Sequence, residues 1–207
     1  MRFSGAALVM TGFLVVSAAA TGCGSSTRES TSNIPVVSFA AEAPQGYDPC
    51  RDVPRDVLDA HQLHSEEPVS GKDRFSVGGG KPHLVDYRGC RWFRTDSYWV
   101  EVTVTARTLD LALWDHRRIR PKLVEPQELT TDGRRALVRR PQNSALNVIC
   151  TANIEMKGGS LEIVVYDRSV GFTYGITTVP ANPGSNEVCV VARSLTERIA
   201  PSLPATA

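Results

Sequence analysis

From Tyr98 to Ala106 every second residue is apolar or aromatic: Tyr98, Val100, Val102, Val104 and Ala106, with Glu101, Thr103 and Thr105 between them. Successive strand side chains point to opposite faces, so this pattern predicts a strand with one buried face. Tyr87 to Phe93 predicts a neighbouring strand with Cys90 and Trp92 on one face, joined to the first through a hairpin loop at Thr95-Asp96-Ser97. Further strands are expected over Arg134 to Arg140, Ala145 to Met156 and Ser160 to Asp167. Lys157-Gly158-Gly159 forms the turn between the last two, and Cys150 shares a face with Ala152, Ile154 and Met156.

The period changes in three places. Val53, Val57, Ala60 and Leu63 recur at helical spacing after Asp52, which predicts a helix capped by Asp52 with Pro54 in its first turn. A second helix runs from about Leu109 to Arg120 and stops at Pro121. A third, about Asn186 to Ala200, carries Val188, Val191, Ala192, Leu195 and Ile199 as one stripe, with Cys189 at its border. Pro68 to Pro82 is expected as a loop with a short strand near Arg74 to Val77, and Phe172 to Val179 as a further edge strand. The order predicts an α+β domain: an antiparallel sheet of about six strands covered by helices.

The N-terminal 22 residues differ in kind from the rest. Arg2, the apolar run Ala6 to Val16 and the small residues Ser17 to Gly22 form an export signal, and its apolar run is too short to span a bilayer. Cys23 follows at once, at the lipidation position of a bacterial lipoprotein, although Ala20 stands where Leu is usual three residues earlier. Cleavage between Ala18 and Gly22 without lipidation is the alternative. Residues 23–46 are rich in Gly, Ser, Thr, Ala and Pro and predict a flexible tether, with one globular domain over 47–204. The expected location is the extracytoplasmic face of the cell membrane, held by acyl chains on Cys23.

Charge and cysteine content narrow the chemistry. The chain has 23 basic and 22 acidic residues; loss of residues 1–22 removes only Arg2 and leaves 22 of each. A neutral total excludes general nucleic-acid binding, which rests on basic excess. Cys50, Cys90, Cys150 and Cys189 form an even set in an exported chain, which predicts two disulfides. The last helix would lay Cys189 against the sheet face that carries Cys150, pairing those two and leaving Cys50 with Cys90.

Catalytic motifs are sparse. His61 and His64 stand i, i+3, a spacing that can chelate a metal on a helix face, but no third ligand follows at zinc spacing, so no metal or cofactor is expected. Gly78-Gly79-Gly80-Lys81 lacks the remainder of a phosphate loop. GxSxG, HExxH and SxxK do not occur. The chain is therefore expected to be a non-enzymatic binding or scaffolding module, with a carrier of a small apolar or lipid ligand and a cryptic hydrolase as alternatives. Arg117, Arg118, Arg120, Arg139 and Arg140 form a candidate anion-binding patch that could meet anionic lipid, a wall polymer or another envelope protein. Trp99, on the polar face of its strand, could line a groove.

Taken together, the lipobox and Ser/Thr-rich tail, Asp48-Pro49-Cys50, Gly89-Cys90-Arg91-Trp92, the strand cysteine Cys150 and the Cys189 helix ending at Leu203-Pro204 are a recognisable set. They resemble the actinobacterial lipoproteins grouped as domain of unknown function 3558, over about Asp48 to Pro204. The resemblance implies a lipoprotein on the outer side of the cytoplasmic membrane and supplies no activity. The element order is also similar to the PsbP-like fold.

Overall fold

Among the described residues, seven strands pair in one antiparallel sheet in a computed structural model of the chain. The structure describes residues 42–75, 83–95, 97–119, 126–140, 149–167 and 185–205. The strands are β1 (His64–Phe75), β2 (His83–Phe93), β3 (Tyr98–Thr105), β4 (Gln127–Thr131), β5 (Arg134–Arg139), β6 (Ile149–Met156) and β7 (Gly159–Asp167). Their order across the sheet is β1-β2-β3-β7-β6-β5-β4, so β3 and β7 pair near the centre and, among the described residues, β1 and β4 are the outermost strands.

Register explains the core. Cys90, Val102, Ile163, Ala152 and Val138 stand directly opposite one another on successive strands, so they share one face. With Trp92, Val100, Val104, Leu161, Val165, Cys150 and Ile154 they are buried on that face. Three helices cover it: α1 (Pro49–Asp52), α2 (Arg55–Ala60) and α4 (Ser185–Ile199). Helix α4 brings Val188, Val191, Ala192, Leu195 and Ile199 to the same core, and each buried aliphatic side chain stabilises the fold by about 1.5–3 kcal/mol. The opposite face is partly covered by α3 (Leu109–Ile119), whose Leu109, Ala112 and Leu113 pack on Leu137 of β5.

Three expectations are corrected. The single helix after Asp52 is instead two short ones: Asp48 caps α1 through its Oδ1, which accepts the Cys50 N–H at 3.1 Å, and Val53 is extended (ψ 121°). Pro54 is the cause, because its ring pushes the preceding residue out of helical conformation. The expected loop from Pro68 is a twelve-residue strand, β1, paired to β2 along its length apart from a register shift between His64 and Glu67. The sheet also gains β4, joined to β5 by the two-residue turn Asp132-Gly133 with φ of 49° and 71°. Positive φ at both central residues is the hairpin turn that matches strand twist, and Asp-Gly suits it. The remaining strands and the last two helices stand within a few residues of expectation, while the proposed strand over Phe172 to Val179 and the Gly78-Gly79-Gly80-Lys81 segment lie outside the described residues.

Buried threonines on the second face follow from what crosses it. Thr105 Oγ1 accepts the Arg107 N–H at 3.2 Å, and Ser160 Oγ donates to the Arg107 carbonyl at 2.7 Å. The chain leaving β3 thus turns back over this face before α3 begins.

Candidate functional site

Both expected disulfides form. Cys50, on α1, is bonded to the fully buried Cys90 of β2, with Cα atoms 5.0 Å apart. Cys150, fully buried on β6, is bonded to Cys189 of α4, with Cα atoms 5.1 Å apart. Each bridge therefore staples a helix to the sheet face it covers. Glu66 lies beside Cys50 and Cys90, all three ligand atoms within 4.8 Å. Metal coordination requires thiolates, and sulfurs consumed in a disulfide are not thiolates, so this group is not a metal centre. Cys23 lies outside the described residues.

The arginines of the expected patch do not share one setting. Arg117 and Arg118 lie in the second half of α3, Arg120 lies outside the described residues, and Arg140 follows the end of β5. Arg139 is drawn inward: its Nε is buried without a partner, and burial pushes its pKa down while Glu162 opposes that shift. Beside it, fully buried Asn153 donates from Nδ2 to Glu162 Oε2 at 3.1 Å, and its own Oδ1 has no partner. Arg135 is committed to Asp110 at 3.0 Å and Glu155 at 3.7 Å. Arg134 points to the opposite face, where Nη2 donates to the Leu203 and Pro204 carbonyls and ties down the end of the chain after α4.

Trp99 is half-buried and has neighbours on both sides along the sheet. Tyr166 stacks on it with ring centroids 3.6 Å apart, and the Arg91 guanidinium lies 4.6 Å from its centroid. Arg91 in turn donates to Glu101 Oε2 at 2.7 Å and lies 3.7 Å from Glu67. This ladder runs across β1, β2, β3 and β7, and the indole is a rung in it.

His61 and His64 are not on one helix face: His61 caps the end of α2 and His64 opens β1. The His61 Nε2 lies 3.2 Å from Ser194 Oγ of α4, and its backbone carbonyl accepts the Tyr98 hydroxyl at 3.2 Å. Burial, followed by Arg198 and Arg94, lowers its pKa below the ordinary 6.5. A catalytic Ser–His pair uses a carboxylate to orient and stabilise the imidazolium; the charged groups acting on His61 are cations, which do the reverse. The pair therefore reads as a helix–helix contact whose surroundings, burial first and then Arg198 and Arg94, favour neutral imidazole. A depressed folded pKa means that the unfolded chain takes up the proton first, so this contribution is intact above about pH 6.5 and is lost as pH falls through the folded value. His61→Gln is expected to flatten stability against pH just below 6.5, measured by urea denaturation across that range.

Sequence reasoning missed a cleft. It lies between α3 and the β4–β5 hairpin, has a volume of about 130 Å³, and is lined by Leu109, Leu113, Leu129, Leu137, Glu128 and Arg135 among others. Small-molecule sites usually measure ~300–1,000 Å³, so this one suits a single aliphatic side chain and not a whole lipid. The hairpin signal Asp132-Gly133 was the available clue.

These features define a class: an α+β domain with one antiparallel sheet, helices on both faces and two helix-to-sheet disulfides. The chain belongs to the family described as protein of unknown function (DUF3558), whose sequence profile matches residues 17–202. No curated protein and no solved structure matches the chain.

Proposed function

We propose that this protein is a lipid-anchored component of the cell envelope, a non-enzymatic binding or scaffolding module held at the extracytoplasmic face of the membrane. The observation that carries the reading is the pair of disulfides, Cys50–Cys90 and Cys150–Cys189, which use all four domain cysteines. Such bridges persist in oxidising compartments and are rare in reducing ones. The export signal before Cys23 supports the same location, and acyl chains on Cys23 supply more than the two signals that stable anchoring takes. The residues between Cys23 and the core member Ala43, rich in Gly, Ser, Thr, Ala and Pro, would serve as the tether that holds the sheet away from the bilayer.

Phase separation in a cloud-point detergent tests the anchor. The wild-type chain expressed in a lipoprotein-processing host is expected in the detergent phase, and Cys23→Ser in the aqueous phase or unprocessed. Equal partitioning of the two would overturn the anchor. Mass analysis of the mature N-terminus supplies the direct check, since acylation adds a defined mass to Cys23.

A further inference from the structure

We propose that Glu66 is an electrostatic guard on the Cys50–Cys90 bridge: its carboxylate repels anionic thiolates from the reachable sulfur, so the bridge exchanges faster with thiols that also carry an ammonium group. The inference goes beyond the envelope reading and does not need the lipid anchor.

The bridge has one approachable sulfur. Cys90 is fully buried on β2, whereas Cys50 is only partly buried beside the core. Exchange begins when a thiolate attacks a disulfide sulfur, and Cys50 Sγ is the one within reach. A bond forms between the attacking sulfur and Cys50 Sγ, the Cys50–Cys90 bond breaks, and its electron pair leaves on Cys90 Sγ. A second thiolate then attacks the sulfur of the first, which forms an external disulfide and releases Cys50 as thiolate. Two protons from solvent complete the two cysteine thiols. In the first step the attacking group and the departing group both carry negative charge.

Glu66 acts on both. Its carboxylate and the two sulfurs all lie within 4.8 Å of one another, and its side chain is exposed on the side from which a thiolate arrives. The Gly89 carbonyl oxygen, 3.2 Å from Cys50 Sγ, adds a partial negative charge beside the same sulfur. Arg51, the next residue along α1, lies 3.6 Å from Asp48 and so has a carboxylate of its own. Two unit charges about 5 Å apart in water repel enough to slow a step about fourfold.

The backbone supplies a second observation. Strand β1 loses register with β2 between His64 and Glu67, and within that break Ser65 has a φ of 56°. A left-handed conformation is unfavourable for a residue other than glycine and persists only where the surroundings hold it. Bulges of this kind re-aim a side chain, and the side chain that follows Ser65 is the one that meets the sulfurs. Regular pairing resumes at once, Glu67 with Arg91 and Pro68 with Cys90. Among the described residues, no carboxylate or imidazole comes as near to both sulfurs of Cys150–Cys189. The second bridge is thus a reference within the same molecule.

The test uses the full mature chain with both bridges formed and three thiols: cysteamine, 2-mercaptoethanol and 2-mercaptoethanesulfonate. Their thiolate forms carry a compensating ammonium, no second charge and an added sulfonate. Initial reduction at each bridge is followed by acid quench, alkylation and peptide mass mapping. Dividing the rate at Cys50–Cys90 by that at Cys150–Cys189 cancels the intrinsic reactivity of each thiol. The ratio is expected to fall in the order given. Glu66→Gln should raise it about fourfold for the sulfonate thiol, and Glu66→Lys should invert the order. Should either variant not fold, wild type in about 1 M salt serves instead, where a Debye length of about 3 Å should flatten the order. One ratio for all three thiols, or a ratio that Glu66→Gln leaves unchanged, overturns the proposal. So does equal acceleration of both bridges in Glu66→Gln, because the carboxylate then acts on the stability of the whole domain. None of these outcomes depends on acylation, so failure here leaves the anchor standing.

Discussion

Replacing Cys150 and Cys189 together with Ala is expected to destabilise the domain by about 3–4 kcal/mol, the loop-closure value for a bridge spanning 39 residues. Native domains are stable by only about 5–15 kcal/mol, so this is a large fraction of the total. The loss has a structural direction. Helix α4 packs on β5, β6 and β7, and its buried stripe supplies one wall of the core. Without the bridge, α4 is retained by apolar contact and by the Arg134 bonds to Leu203 and Pro204. Hydrogen exchange should therefore rise first in α4, before the β3–β7 centre. Urea denaturation of the double variant against wild type gives the magnitude. A change below about 1 kcal/mol would mean that packing alone determines where the helix sits.

The second large effect is expected at Trp92. This side chain is among the largest fully buried ones and lies on the face shared with Cys90. Trp92→Ala should cost about 3–5 kcal/mol through lost burial and the cavity left behind. Trp92→Phe should cost much less than the volume change implies. The indole Nε1 is buried without a hydrogen-bond partner, and a buried unsatisfied donor carries a penalty of about 1–3 kcal/mol that phenylalanine does not have. Comparing the two variants by the same denaturation measurement separates shape from polarity. If Phe proves as damaging as Ala, the indole nitrogen is satisfied by water and the argument from its isolation fails.

The parts of the fold legible in the sequence share a physical cause. Strands β3, β6 and β7 lie at the centre of the sheet, and their buried face forces alternation, as Val100, Val102 and Val104 show. Helix α4 is amphipathic against a single core, so its stripe and the position of Cys189 could be deduced together. That placed both disulfides correctly. Strands β1 and β4 were hidden for the opposite reason. A marginal strand has one neighbour and little burial, so Gln127-Glu128-Leu129-Thr130-Thr131 has one apolar residue and no periodic signal. Pro68 and the charges of β1 suggest a loop, yet they are compatible with a strand paired on one side only. The break between α1 and α2 was readable from Pro54, whose effect on Val53 outweighs the apolar spacing around it.

The candidate site was less legible. Linear clustering grouped Arg117, Arg118, Arg120, Arg139 and Arg140, but within β5 strand alternation sends Arg134 to one face and Arg135 and Arg139 to the other. Their fates then diverge with local packing: Arg135 meets Asp110 and Glu155, while the Arg139 Nε is buried. The cleft beside β4 needs α3 and the hairpin in their places before it exists, so no local motif announces it.

The positions of the two bridges also determine how the domain bears mechanical load. The two ends of the described domain lie close together, since the Tyr47 hydroxyl and Ser202 Oγ are 3.1 Å apart. A pull from the N-terminal side can strip residues only as far as Cys50, which is covalently bound to an interior strand. A pull from the C-terminal side halts likewise at Cys189. Unravelling from either end is arrested, and tension passes directly into β2 and β6, within the seven-stranded sheet.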